Sequence, residues 1–354
     1  MTELIRIFRP EAGRCTLVAV SDNWISLSET VEFRGAGELI LTLGAGSAAA
    51  TAAALGDVLL VGGEGFIVEG ITRDEKTHEV TLRAPGVLSV LNRCVAAVTA
   101  TEEKPAEEAI LSLAEEFAGS GLPLPLETAG GDGGDDVVLT PRTEGLFPLL
   151  VRLATVGQRG LAMTVSPGDG KLTLMAPAIL DRTVGSASPV VLGTDMDTLL
   201  DTEETVDLGT YKNGVRVTSS EEVDGAPVTE TLTAADCGFG DGWDDGAAGR
   251  RDAAVTVSVA KGSFYDDGEF DLDGYRGALR ARAREYLAAH RPVVTLSARL
   301  PASVSASLSP GDLVSVRTGG GLVSRLVTKK TILRRRGEEI CGIVLADASG
   351  SGNG

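Results

Sequence analysis

Ala54–Ala84 reads ALGDVLLVGGEGFIVEGITRDEKTHEVTLRA, and Ser309–Ala346 reads SPGDLVSVRTGGGLVSRLVTKKTILRRRGEEICGIVLA. In each, a Gly-Asp pair (Gly56-Asp57, Gly311-Asp312) launches an apolar, β-branched run. A glycine-rich turn, a second strand, a charged turn and a last alternating strand follow. Such alternation is the mark of half-buried strands. The later charged turn is longer by about five residues, which a hairpin tolerates, because doubling a loop costs only ~0.6 kcal/mol. A pattern written at both ends of one chain predicts two similar β-domains.

Before the first copy, Leu4–Phe8 alternates, turns through Arg9–Gly13 and continues as Cys15–Val20, a hairpin signal. Glu38–Leu43 (ELILTL) is a further strand, and an alanine-rich connector, Ala48–Ala54, leads into the repeat. The chain to about Cys94 therefore reads as all-β. Then the period changes. Pro105 suits a first helical turn, and Ile110, Leu113, Ala114 and Phe117 fall on one helical face closed by Gly119 and Gly121. Thr143 is expected to cap a second helix (Leu146, Leu150, Leu153) ending at Gly157. Gly160–Val165 and Lys171–Met175 flank a hairpin turn. Residues 220–252, acidic and glycine-rich, predict a long projecting hairpin or loop. Asp273 is expected to cap a third helix (Tyr275, Leu279, Ala283, Tyr286, Leu287) stopped by Pro292.

The fold class that follows is β-rich α+β: two related β-barrel-like domains, an inserted small α+β domain and a further α/β segment. Residues 1–99 form the first barrel-like domain and 100–185 the small α+β domain. Residues 186–292 form a β-rich segment with the acidic loop and a helix. Residues 293–346 are the second barrel-like half, completed by strands from 190–260. The tail 347–354 lacks an apolar anchor and is expected to be disordered.

Fifty acidic against 32 basic residues give a net charge of -18, the wrong sign for a general nucleic-acid binder. Cys15, Cys94, Cys237 and Cys341 lie too far apart to signal a zinc site or a disulfide framework, and read as buried free thiols. MTELIRIFRP lacks the apolar core of a secretory signal, and no run is long enough to span a membrane.

Three acidic loops invite calcium: Asp132, Asp135 and Asp136; Asp241, Asp244 and Asp245; and Asp266, Asp267, Glu269, Asp271 and Asp273. None completes a calcium-binding loop, so each reads first as a solvated turn. His78 lies in a charged turn and His290 at a helix end, neither beside a nucleophile motif, which favours structural roles. Gly157–Gly160 and Gly238–Gly242 lack the strand-to-helix context of a phosphate loop. Trp24 reads as core; Trp243, amid Asp and Gly, as an exposed anchor or a plug for its own loop. Lys329-Lys330 with Arg334-Arg335-Arg336 is the one basic concentration, read as a charged guard on a hairpin or as a contact for an acidic partner.

Taken together, several segments resemble one family. Val58–Val61, then FIVEGITRDEKTHEVTLRAPGVLSVLNRCV (66–95), LLVRLATVGQRGLAMTVSPGDGKLTLMAP (149–177), LLDTEETVDLGTYKNGVRV (199–217), the strand within 249–259 and the closing Gly-Asp copy follow the order of the hub-type tail proteins of long-tailed phages. The departures are SASLSP (305–310), where aromatic and acidic residues are more usual, and the strongly acidic stretch 234–248. The resemblance implies a baseplate or tail-tip hub, a homotrimeric ring with two barrel-like domains per chain that adapts a sixfold tail tube to a threefold tip around a channel. It implies tail-tube or distal-ring proteins, tip spike or fibre proteins and a tape-measure protein as partners, with DNA passing nearby unbound. The expected location is the virion tail tip or baseplate, after synthesis in the host cytoplasm. The family lends no catalytic residues, cofactor or metal. Against it stand a cell-wall glycan hydrolase on a β-rich scaffold and a surface-binding module with Trp243 at its tip.

Overall fold

The computed structural model describes residues 4–11, 14–237, 249–266, 269–318, 321–335 and 338–347. Trp243, Asp241, Asp244, Asp245, Asp267, Arg336, Gly238–Gly242 and the end of the tail lie outside the described residues.

The chain begins with β1 (Ile5–Glu11), β2 (Arg14–Ser21), β3 (Ser26–Glu32) and β4 (Glu38–Gly44). The alanine connector coils into α1 (Ala48–Ala52), where the Ser47 side chain accepts the Ala50 N–H and so caps the helix. The first Gly-Asp copy gives β5 (Val58–Val61), β6 (Glu64–Ile67), β7 (Gly70–Asp74) and β8 (Glu79–Pro85). β2, β1, β5 and β6 form one sheet that packs across a core of Ile5, Leu41, Leu59, Phe66 and Leu82 onto β3, β4 and β8.

An inserted unit follows, with a 3-10 turn at Val87–Arg93, β9 (Val95–Val98), β10 (Glu102–Pro105), α2 (Ala106–Phe117), β11 (Leu126–Thr128) and β12 (Asp136–Leu139). It continues through β13 (Arg142–Gly145), α3 (Leu146–Val156), β14 (Ala162–Ser166) and β15 (Lys171–Met175). Ile110, Leu113, Leu146, Leu150 and Leu153 meet in its core, together with Val87 and Leu91 from the 3-10 turn. Helix α3 starts at Gly145 without a side-chain cap; Thr143 lies in β13, opposite Ala97 of β9. The expected threonine cap is thus corrected: sheet pairing takes that residue's backbone first.

β16 (Leu180–Arg182), β17 (Val191–Leu192) and β18 (Leu200–Asp207) return the chain to the second half. β19 (Gly214–Val223), β20 (Ala226–Thr233) and β21 (Asp252–Val257) then form a sheet of their own. After β22 (Tyr265–Asp266) and β23 (Glu269–Phe270), α4 (Leu272–Ala289) packs on that sheet, burying Tyr275, Leu279 and Leu287 against Val215 and Val217. Strands 214–257 therefore do not complete the second half, because their apolar face is already covered by α4. The cap of α4 is Asp271, whose side chain accepts the Gly274 N–H at 2.9 Å, not Asp273 two residues later.

β24 (Val293–Leu300), α5 (Ala302–Ser305), β25 (Asp312–Thr318), β26 (Gly321–Arg335) and β27 (Glu338–Asp347) close the chain. Their core is Ala298, Leu300, Val314, Val316, Ile343 and Leu345. The fold is β-rich with several sheets, none of them closed among the described residues. One ladder, β18-β24-β27-β26-β3-β4-β8-β7, runs through both halves.

Candidate functional site

The two Gly-Asp turns have the same geometry. Gly56 and Gly311 adopt φ of 86° and 101°, a region glycine enters without steric cost. Gly56 N–H donates to Val68 O and Gly311 N–H to Val327 O, each at 2.8 Å. Asp57 and Asp312 are buried, and each carboxylate accepts the amide three residues back, Ala54 at 2.8 Å and Ser309 at 2.9 Å. An arginine from the neighbouring strand closes each turn. Arg9 on β1 forks onto Asp57 at 2.9 Å through Nε and Nη2; Arg182 on β16 reaches Asp312 at 3.0 Å. Each guanidinium also donates to the carbonyl five residues before its aspartate, Ala52 O or Ser307 O.

The ladder sets these halves head to tail. The first half contributes β3-β4-β8-β7 and the second β18-β24-β27-β26, in the same internal order, and the seam between them is β26 against β3. At the seam Thr331 Oγ1 lies 3.1 Å from Thr30 Oγ1, Lys329 pairs with Glu32 at 3.4 Å and Arg334 with Glu29 at 3.6 Å. Lys330 Nζ donates to Ser305 O and Leu308 O at 2.7 and 2.8 Å. Three of the five basic residues are thus engaged inside the chain. For Lys329, Lys330 and Arg334 the reading as a hairpin guard or a partner contact gives way to contacts within the chain, whereas Arg335 is exposed at the β26–β27 hairpin end and Arg336 lies outside the described residues.

Two ends of the ladder stay open. Among the described residues, β7 pairs only with β8 and β18 only with β24, and all eight residues of β18 are exposed. An open edge presents unpaired N–H and C=O groups to another strand. The ladder's outward face is rich in hydroxyls: Thr30, Thr42, Thr81, Thr295, Ser297 and Thr331 share one side of it, in register from strand to strand. Three of its cations are matched by carboxylates, Arg83 to Glu38, Lys329 to Glu32 and Arg299 to Asp201, while Arg335, opposite Ser26, is exposed. A hollow of about 280 Å³ indents this face around Gly342, Glu203 and Arg299.

Beneath the seam a larger hollow of about 480 Å³ is lined by Glu29, Glu32, Glu64, Phe66, Met163 and Met175. Glu64 is exposed, and desolvation by the groups around it pushes its carboxyl up. Glycoside cleavage needs a second carboxylate free to act, whereas Glu29 and Glu32 are held by Arg334 and Lys329.

The remaining sequence candidates take structural places. His78 sits at φ 55° in the exposed β7–β8 turn. His290 stacks on Tyr286 with ring centroids 3.9 Å apart, its Nδ1 2.8 Å from Tyr286 O. Gly131 and Gly133, beside Asp132, turn their amides onto the Glu107 carboxylate at 2.8 and 3.1 Å, which orders that loop around an anion. Among the described residues no cluster of His, Cys, Asp or Glu could hold a metal ion. A Cβ on Gly157 would lie 2.0 Å from Ala106 Cβ, so that glycine lets α3 approach α2. Trp24 packs against the first-half core. No helix among the described residues is long and apolar enough to cross a membrane.

No family model and no curated protein matches the chain. Solved structures do. The 43 kDa tail protein of prophage MuSo2 from Shewanella oneidensis is 12% identical, with a TM-score of 0.58 over 99% of this chain and 100% of that one. A tail protein from Neisseria meningitidis MC58 is 12% identical, with a TM-score of 0.54 over 98% and 97%. Prophage tail protein gp18 from Listeria monocytogenes EGD-e is 13% identical, with a TM-score of 0.53 over 99% and 95%. At such identities the likeness is one of fold: from end to end, this chain has the fold of phage tail proteins.

Proposed function

We propose, from the fold shared with prophage tail proteins, that this chain is a structural component of a phage tail or tail-like particle, and within it the hub at the tail tip or baseplate. Three copies form a ring that adapts the sixfold tail tube to a threefold tip. Each chain brings two barrel-like halves, so the ring presents six similar units.

The observation that carries this reading is the head-to-tail seam between β26 and β3, with the equivalent edges β7 and β18 left open. A contact that joins unlike edges is heterologous, and repeated between chains it either closes into a ring or runs on as a filament. The β7 edge of one chain takes the β18 edge of the next, as β26 takes β3 within a chain. The hydroxyl-rich outward face then lines the channel. Most of its cations are already matched by carboxylates, so a phosphodiester chain finds little to adhere to. Tube or distal-ring proteins dock on one rim, spike or fibre proteins on the other, and the tape-measure protein reaches the channel from the tube side. The ring's work is mechanical, holding the channel closed until the tip engages a cell.

Light scattering on the purified protein tests this, with a mass three times the 36.5 kDa chain and threefold rings in end-on electron micrographs expected. Monomers at high concentration, with no rings, would sink the proposal.

A further inference from the structure

Residues 208–292 leave and re-enter the ladder at directly opposite positions, since Asp207 of β18 pairs with Val293 of β24. The whole unit therefore hangs from a two-stranded stem. Among the described residues its apolar core, between Val215 and Leu287, draws on the unit's own side chains and is separate from the core of the inserted unit. It folds around itself and needs no neighbour to bury its hydrophobic face.

Where α4 meets the inserted unit, the contact is ionic. Arg142, almost wholly buried, forks onto Glu285 with Nη1 to Oε2 at 2.7 Å and Nη2 to Oε1 at 2.6 Å. Thr140 Oγ1 and O take two more of its donors, at 2.7 and 3.1 Å. Glu144 pairs with both Arg142 and Arg152, and Arg282 donates to Pro141 O at 3.2 Å. The apolar groups beside this contact, Val137, Val138, Leu153, Val156 and Ala281, do not close on one another but line a hollow of about 30 Å³ together with Asp136, Arg284 and Glu285. A docked apolar face would lock the two bodies together. A buried ion pair is close to break-even, because undocking returns both ions to water.

We propose that residues 208–292 form an arm hinged on the β18–β24 stem, with the Arg142–Glu285 fork as the catch that holds it against the inserted unit. The proposal concerns the single chain and stands apart from the ring.

The test places spin labels at the exposed positions Glu116, on α2, and Glu222, on β19, of the full-length protein (E116C/E222C on a Cys15→Ser background) and measures the distance between them. The unaltered catch gives one narrow distribution. E285Q, which keeps the shape and removes the charge, broadens it by several-fold while hydrogen exchange in β19–β21 keeps its protection. The apolar pair R142M/E285L narrows it again. An E285Q distribution as narrow as the parent's overturns the proposal, as does an R142M/E285L distribution as broad as E285Q's. Loss of protection throughout β19–β21 in E285Q also overturns it, since the fork would then belong to the arm's own fold.

Discussion

Asp312 repeats Asp57: each lies buried behind a glycine of positive φ, takes the amide three residues back and is closed by an arginine from the adjacent strand. The arginines arrive by different routes, Arg9 from an antiparallel neighbour and Arg182 from a parallel one. The two halves share the turn and the order of the ladder strands, but not the direction of the strand that supplies the arginine. Asp57→Ala and Asp312→Ala each leave a backbone amide without its acceptor, a loss of about 1–3 kcal/mol. Thermal or denaturant midpoints should fall in both variants, and Asp→Asn, which keeps an acceptor oxygen, should fall less.

The glycines before them predict an asymmetry. An alanine at positive φ costs about 1–2 kcal/mol for backbone reasons alone. That is all Gly56→Ala meets, since nothing lies within 4 Å of the added Cβ. At Gly311 the same Cβ would sit 2.7 Å from the buried Phe33 ring, so overpacking adds about 1–3 kcal/mol. Equal midpoints for G56A and G311A in denaturant titrations would contradict the observed packing of Phe33.

Acid should loosen two other turns, those of Asp181 and Asp236, in a defined direction. Two N–H and hydroxyl donations from Thr183 hold the Asp181 carboxyl below the usual range, and Thr233 does the same for Asp236. Folding thus favours the charged form. The stability these groups contribute is complete above the unfolded value, about 3.9, and is lost as pH falls through the lower folded value. Melting temperature should decline on acidification below about pH 4, and D181N/D236N should flatten that decline.

Much of this was legible in the sequence, for local reasons. A Gly-Asp pair before an alternating run marks a turn into a strand, and the helical stripe of Ile110, Leu113 and Ala114 marks a buried face. The alanine connector proved to be the short helix α1, and the acidic stretch from 220 includes paired strands, β19 and β20. What a window of sequence lacks is pairing between distant strands. Lys329, Lys330 and Arg334 suggested an edge because β3, which carries Glu29 and Glu32, lies at the other end of the chain. Arg9, Arg182 and the Arg142–Glu285 fork left no periodic trace either. Each is defined by what the fold brings opposite it. The cap of α4 shows the local limit, since Asp271 and Asp273 are both good cap residues and only the backbone path selects Asp271.

The seam within the chain predicts the residues at the seam between chains. Thr331 lies opposite Gly342 as Thr72 lies opposite Thr81, and both pairs flank matching buried rows on β27 and β8. Thr30 connects through Glu38 to Pro85, and Thr205 through Thr295 to Ala346, at the same steps of the two ladders. Thr72 and Thr205 are thus the counterparts of Thr331 and Thr30, which face each other at 3.1 Å, and both are exposed in the single chain. Directly opposed residues of neighbouring strands bring their Cβ atoms to about 4.5–5.5 Å, within reach of a disulfide after small adjustment. In T72C/T205C under mild oxidation, non-reducing gels should show covalent dimers and trimers, while T72C or T205C alone should show neither beyond background. Cross-linking no stronger than in a control pair such as E116C/T205C would mean that these edges do not meet, and that the order of strands within the chain is no template for the assembly.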